Sequence, residues 1–261
     1  MIRTPAILLP ERLPVSLRGF LEDATVFDSS CSRTAQVYFL DKGPGFYLKT
    51  AAAGALRREA ELAAYFCGKG LGAPVLAYES GERDWMLTRR VPGEDCTHPM
   101  YLEDPLRLCD TTAQLLRRLH EIDPADCPVT DRTGEYLETA RRNYEEKRFD
   151  ASLFPDNWGY SDLEEAWSVV QRQGAFLRRD TLLHGDYCLP NILLDGWRFS
   201  GLIDLGNGGV GDRHMDLFWG IWSLGFNLKT DRYRERFLDA YGRDKVEEEL
   251  LRIVAAVEVF G

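Results

Sequence analysis

Residues 181–206 read TLLHGDYCLPNILLDGWRFSGLIDLG, and the reading of Thr181–Gly206 decides the fold. Three polar residues, Asp186, Asn191 and Asp204, stand between apolar runs. Leu182-Leu183 is a short buried run entering His184-Gly185-Asp186. Ile192–Leu194 and Phe199–Ile203 read as two strands joined by a loop at Asp195–Arg198. With that loop Leu194 faces Phe199 and Asn191 faces Leu202. Asp204 then falls just past the open end of the hairpin, opposite the loop preceding Asn191. Magnesium prefers oxygen ligands and takes only one or two from protein, with phosphates and water completing its shell. Asn191 and Asp204 suit that task. Asp186 is left over as a third oxygen acceptor, able to orient a hydroxyl and take its proton.

Composition bounds what surrounds this stretch. The 261 residues are 44% hydrophobic, enough for a sizeable core in one large domain or two small ones. The net charge of −10 disfavours nucleic acid, which is held through its phosphates, but not a cation. The N-terminal apolar run is only four residues long before Pro10, unlike a signal peptide. No run reaches the roughly 18 apolar residues of a membrane span. The six cysteines (Cys31, Cys67, Cys96, Cys109, Cys127, Cys188) form no CxxC pair. Reduced thiols in a cytoplasmic protein are expected, without a zinc site and without a membrane.

Residues upstream read as a small sheet with one helix. Ala24–Asp28, Gln36–Asp41 and Phe46–Lys49 are three consecutive antiparallel strands, separated by the small-polar turn at Ser29–Thr34 and by Lys42-Gly43-Pro44-Gly45. Gly54–Lys69 has helical spacing at Leu56, Ala60, Ala63, Ala64 and Cys67, with Gly68 and Gly70 as stops. Val75–Tyr78 and Trp85–Thr88 are two further strands. Pro92-Gly93 breaks the pattern. From Pro105 helices dominate: one marked by Leu108, Thr112, Leu115, Leu116 and Leu119, then Tyr136–Arg148, Ser161–Leu177, Asp231–Tyr241 and Asp244–Val259. An α+β architecture follows, with a nucleotide-binding lobe at residues 1–90, a linker at 91–95 and a catalytic, mainly helical lobe at 96–261.

The Asp-to-Asn spacing equals that of the protein-kinase catalytic loop, and Ile203-Asp204-Leu205-Gly206 stands where those enzymes carry Asp-Phe-Gly. HGDYCLPN followed by SGLIDLG resembles the aminoglycoside phosphotransferases, the 3′-phosphotransferase branch in particular. The resemblance extends over nearly the whole chain, taking in the Lys49 strand, the helix with Glu59, Leu119–Asp123, Pro155-Asp156-Asn157-Trp158 and the C-terminal helix. It implies a two-lobed protein-kinase-like fold and transfer of a γ-phosphate from ATP, or GTP, with Mg2+, to a hydroxyl of a cationic small molecule. By the same resemblance Asp186 is the catalytic base, and Asn191 and Asp204 are the magnesium ligands. Lys49 holds nucleotide phosphates with Glu59 as its helix partner. Tyr47 stacks on adenine, Arg89 and Val91 offer linker backbone to the base, and Ile203 floors the pocket. Ser32, in a loop without a Gly-rich pattern, covers the phosphates. Asp216 becomes a scaffold for the catalytic loop, with His184 bracing that loop and His120 in a structural role.

Blander readings stand beside these. Asp and Asn are common turn and cap residues, Lys49 alone would be a solvated strand-end lysine, and Glu59 among Arg57, Arg58 and Glu61 could be one of a surface pair. The substrate side also departs from the family. Enzymes that hold polycations present several carboxylates. Asp156, Glu258 and Phe260 fall at substrate positions. Phe226 and Asn227 stand where acidic residues are frequent, and Gly159 and Val257 likewise replace carboxylates. Three hypotheses remain: an aminoglycoside kinase, a kinase of another small amino-alcohol or sugar, and a nucleotide-binding module without catalysis. The acceptor, the nucleotide preference and the oligomeric state stay open.

Overall fold

A computed structural model describes residues 3–31, 34–149, 160 and 162–261. In chain order the elements begin with β1 (Thr4–Pro5), α1 (Arg18–Leu21), β2 (Thr25–Asp28), β3 (Gln36–Asp41), β4 (Phe46–Ala52) and α2 (Arg57–Gly68). Then come β5 (Val75–Ser80), β6 (Arg83–Arg89), β7 (Glu94–Asp95), α3 (Pro99–Leu102), α4 (Pro105–His120), α5 (Arg132–Glu145) and α6 (Leu163–Gln173). The rest are β8 (Thr181–Leu183), β9 (Ile192–Asp195), β10 (Arg198–Leu202), β11 (Gly209–Gly211), α7 (Arg213–Leu228), α8 (Arg234–Tyr241) and α9 (Glu248–Glu258).

Two compact units result. The first comprises residues 1–96 and Pro190–Gly206, and the second comprises Thr97–Leu189 and Asn207–Gly261. The first unit is thus not one contiguous segment, as the linear division of the sequence has it. The hairpin β9–β10 joins it because β7, inside the expected linker, pairs with β9 through Glu94↔Leu194 and Asp95↔Leu193. Gly93 makes that approach possible. It has φ +89°, and an added Cβ would stand 2.1 Å from the Leu194 carbonyl oxygen. Leu202 also donates its N–H to Leu71 at 2.7 Å.

The first unit is built on a six-stranded antiparallel sheet in the order β1-β2-β3-β4-β6-β5. Strand side chains alternate between faces, and the register separates them cleanly. Leu40, Leu48, Trp85 and Leu87 fill one face against Leu8, Leu13 and Leu17 of the N-terminal segment. The opposite face carries Lys49, Ala51, Asp84 and Met86, and there Ala51 and Met86 pack on Leu56 and Ala60 of α2. Burying each large apolar side chain is worth roughly 1.5–3 kcal/mol.

In the second unit the four consecutive helices α4–α7 each start behind an aspartate. Asp104, Asp131, Asp162 and Asp212 accept backbone N–H groups of the first helical turns. Each satisfies an orphan donor and complements the helix dipole. The helices pack through Leu108, Leu116, Leu217, Phe218, Phe237, Leu251 and Val254, all essentially buried. β8 and β11 form a two-stranded antiparallel ribbon that delivers the chain into His184-Gly185-Asp186. No helix among the described residues is long and apolar enough to cross a membrane.

Candidate active site

The hairpin turn is Gly196-Trp197, both at positive φ (+53° and +69°), closed by the pair Asp195↔Arg198. Paired positive φ values suit a tight hairpin whose twist matches its strands. Leu194 faces Phe199 as the sequence spacing requires. A register shift between Phe199 and Gly201 then moves everything by one, so Leu202 faces Ile192 rather than Asn191. The Asn191 backbone carbonyl instead accepts the N–H of Ile203 at 3.1 Å. The bulge thus brings Ile203, and Asp204 after it, beside Asn191. Asp204 has φ +56°, a left-handed conformation that costs a non-glycine residue about 1 kcal/mol. The conformation turns its carboxylate out of the hairpin, where the side chain is 55% exposed.

Lys49 meets that carboxylate. Its Nζ donates to Asp204 Oδ1 at 2.9 Å and to both Glu59 oxygens at 2.8 Å. Burial pulls the Lys49 ammonium down, but Asp204 and Glu59 outweigh it and hold its pKa above the ordinary lysine value. Glu59 is mostly buried, which raises its carboxyl against the pull of Lys49. The surface-pair reading of Glu59 is therefore excluded: its partner is a strand lysine, not Arg57, which instead pairs with Glu61. Val91 and Ile203 lie in one apolar cluster with Ala73 and Leu193. Arg89 donates its backbone N–H to Pro74 at 3.0 Å, so what this position can offer a base is its carbonyl. Tyr47 sits on the Lys49 face of β4, its ring 5.2 Å from Phe39, and its hydroxyl accepts from Arg3 at 2.8 Å. Arg3 lies over Phe39 at 3.6 Å. Ser32 lies outside the described residues.

In the second unit the loop carrying Asp186 is held at almost every residue. Asp216, fully buried on α7, accepts the N–H of His184 and of Gly185, each at 2.7 Å. His184 Nδ1 accepts the Asp186 N–H at 3.2 Å. The Tyr187 hydroxyl reaches the Thr112 carbonyl at 2.8 Å, and Leu189 donates to Ser223 Oγ at 2.9 Å. Behind Asp216, His120 bridges its carboxylate at 3.2 Å and the Tyr241 hydroxyl at 2.9 Å. Burial keeps His120 below its ordinary pKa, hence neutral, with Nε2–H donating to Asp216 and Nδ1 accepting from Tyr241. The structural roles expected of Asp216, His184 and His120 are what the geometry displays. Cys188, in the same loop, has its thiol pushed up by burial and by Asp186.

The substrate-side residues fare differently. Phe260 is fully buried, with its ring 5.5 Å from Trp167 and 5.6 Å from Tyr144 and its carbonyl accepting from Asn143. A ring enclosed in that way is core, and the expectation that Phe260 touches a ligand is corrected. Glu258 is also nearly buried. It accepts from Trp219 Nε1 at 2.8 Å, and burial raises its pKa to about 7 against the bonds of Tyr136 and Trp219. Asp156 lies outside the described residues. Phe226, singled out in the sequence, lies on the outer part of α7. There Trp222 stacks on Phe226 at 5.0 Å and 10°, and the Lys229 ammonium lies 4.1 Å over Phe226. The i, i+4, i+7 spacing of 222, 226 and 229 was the available signal for that cluster. Among the described residues no group of three or more His, Cys, Asp and Glu is arranged to hold a metal alone.

A largely buried lysine–carboxylate pair whose ammonium also meets a second carboxylate fits a phosphoryl-transfer scaffold. The phosphotransferase enzyme family matches residues 28–251, and the chain belongs to it. A probable aminoglycoside 3′-phosphotransferase of Lactococcus lactis is 47% identical over 252 residues, covering 96% of both chains. An aminoglycoside 3′-phosphotransferase of Niallia circulans is 31% identical over 224 residues, 85% of this chain and 83% of its own. Among solved structures, an aminoglycoside 3′-phosphotransferase of type VIII superposes with a TM-score of 0.72 at 27% identity, covering 94% and 97% of the two chains.

Proposed function

We propose that this enzyme transfers the γ-phosphoryl group of ATP, or of GTP, to a hydroxyl of an aminoglycoside, as a 3′-phosphotransferase would. The observation that carries the reading is the Lys49 ammonium held between Glu59 and Asp204. A lysine so fixed is a permanent point charge for nucleotide phosphates. The names of the two curated relatives support the acceptor class.

Asn191 and Asp204 would hold Mg2+, and the donor set fits: one carboxamide and one carboxylate oxygen, with the remaining positions left to phosphate and water. When bound, magnesium would neutralise charge developing on the transferred phosphoryl group. Lys49 draws the donor phosphates toward the same carboxylate. Asp186, its loop locked by Asp216 and His184, orients the acceptor hydroxyl and takes its proton. The hydroxyl oxygen bonds to the γ-phosphorus, the bond from that phosphorus to the β–γ bridging oxygen breaks, and the nucleoside diphosphate leaves. Positioning accounts for most of the acceleration, because the transition state is loose. The six cysteines, none of them in a disulfide, suit a reducing compartment such as the cytoplasm, where the donor nucleotide is found.

A second acceptor class is favoured by the Phe226 surface. The Lys229 ammonium over its ring would repel a polycation that approached this surface, which suits an amino-alcohol or sugar with fewer charges.

The test is ADP release with ATP and GTP against kanamycin, neomycin, streptomycin and a panel of metabolite alcohols. Turnover on the aminoglycosides is expected, and Asp186→Ala should lose at least about 10³-fold in kcat with nucleotide affinity retained. Turnover confined to metabolite alcohols would move the acceptor. Near-normal activity in Asp186→Ala would remove the base assignment.

A further inference from the structure

Helix α2 carries Glu59, yet its own sequence gives it no cap. The residue at the N-cap position is Leu56, which makes no side-chain cap bond. Leucine is among the poorest residues for that position, so the first N–H groups of the helix need another acceptor.

The segment that enters the helix is held instead by Asp84, a fully buried aspartate on β6. Its Oδ2 accepts the Leu56 N–H at 2.8 Å, and its Oδ1 accepts the Gly54 N–H at 2.9 Å. Tyr78 and Ser80 of the neighbouring strand β5 complete the shell, at 3.0 Å and 2.6 Å. The four donors offset burial and hold the carboxyl below its ordinary pKa, so it remains a charged acceptor. The position in the sheet is equally specific. Asp84 pairs with Ala51 while Lys49 pairs with Met86, and strand alternation puts Asp84 and Lys49 on one face. That is the face on which Leu56 and Ala60 pack. Tyr78 and Ser80 point to the same side, since they pair with Met86 and Asp84.

We propose that Asp84 is a positioning residue for the phosphate donor: it pins the start of α2 so that Glu59, one turn further on, meets Lys49. The inference rests on the kinase reading above. It adds that the ion pair is set by the fold itself, with no ligand or modification needed to bring α2 in. The carboxylate lies at the positive end of the helix dipole, which strengthens the clamp. With the entry to the helix fixed at Gly54 and Leu56, Glu59 starts from a fixed point one turn away, and Lys49 is thereby held for the nucleotide.

The experiment is calorimetric titration of wild type, Asp84→Asn, Tyr78→Phe and Ser80→Ala with ADP in the presence of Mg2+, alongside kcat and both KM values. Asp84→Asn turns one acceptor into a donor facing a backbone N–H. Its ADP Kd is expected to rise about tenfold, equal to about 1.4 kcal/mol, with acceptor KM within twofold of wild type. Tyr78→Phe and Ser80→Ala keep the carboxylate and are expected to fold, with smaller rises of about two- to threefold. A merely structural role would lower the thermal midpoint and the active fraction while leaving the ADP Kd of the folded protein unchanged. That outcome in all three variants would overturn the proposal. If Asp84→Asn does not fold, unchanged affinity in the other two overturns it. A wild type that binds no ADP would fail the kinase reading itself, and this inference with it.

Discussion

Replacing Asp216 by asparagine tests the framework behind the catalytic loop most directly. The carboxylate serves three donors: His184 N–H and Gly185 N–H at 2.7 Å, and His120 Nε2 at 3.2 Å. His184 and His120 share Oδ2, and Gly185 uses Oδ1. The cheaper orientation of the carboxamide keeps its oxygen at the shared position and turns its NH2 toward Gly185. One charge-assisted bond is then lost, at roughly 1.5–3 kcal/mol, and one buried N–H is left unpaired, at roughly 1–3 kcal/mol. Together these come to about 2.5–6 kcal/mol, a large part of a typical stability of 5–15 kcal/mol. At the size of this chain it corresponds to a fall of roughly 10 °C in the thermal midpoint. Activity should fall further than stability explains, because Gly185 precedes Asp186 directly. A displacement of about 1 Å at the reacting group can cost about 10²-fold in kcat. Differential scanning calorimetry gives the first quantity, and ADP release at a temperature where the variant is folded gives the second. A midpoint within 2 °C of wild type together with wild-type kcat would show that the loop does not depend on this carboxylate.

Two further outcomes follow from the same geometry. Gly185 has φ +82°, and an added Cβ would stand 1.8 Å from the Asn207 carbonyl oxygen; Gly196 has φ +53° and open space around it. Gly185→Ala should therefore cost at least about 3 kcal/mol, and Gly196→Ala only about 1 kcal/mol, by urea denaturation. Glu258 has its pKa raised by burial from 4.5 to about 7, so the folded state binds its proton more tightly than the unfolded chain. Its contribution is fully present below pH 4.5 and is lost as the pH rises to about 7, a change of about 3 kcal/mol at most. Denaturation of wild type and Glu258→Gln at pH 5 and pH 8 checks this, and the expected result is a flatter pH dependence in the variant.

What the sequence could convey was whatever is local. The strand read at Phe46–Lys49 and the helical spacing at Leu56, Ala60 and Ala63 depend on nearest neighbours; β4 starts at Phe46 and runs on to Ala52, and α2 forms inside the stretch read as helix. The spacing of Asp186, Asn191 and Asp204 was legible for the same reason. The bulge at Ser200 was not, since a one-residue register shift leaves no mark in an apolar run. The two-residue strand Glu94–Asp95 was read as linker, because its pairing partner lies a hundred residues further on. Phe260 was misjudged through its place near the end of the chain. Its burial is decided by Tyr144 and Trp167 on α5 and α6, which no spacing rule connects to it.

Three aspartates, of which only Asp216 was legible in the sequence, share one chemistry. Asp84, Asp212 and Asp216 are buried, and each accepts two backbone N–H groups from the segments it fixes. Asp84 fixes the helix of Glu59. Asp212 ties Arg178, just ahead of β8, to the start of α7, and binds His214, whose Nε2 accepts from Glu247. Asp216 fixes the loop of Asp186. A chain of net charge −10 thus spends part of its negative charge inward. A buried carboxylate is costly unless several donors surround it, and a peptide N–H can supply them without a countercharge. An arginine or lysine partner would bring flexibility and a second desolvation cost. Backbone donors bring neither, and they fix the main chain itself, which is what a phosphoryl-transfer site working by position requires. The corollary is directional. Substitutions at these three aspartates should damage geometry before they damage charge, so added salt should restore none of the lost activity.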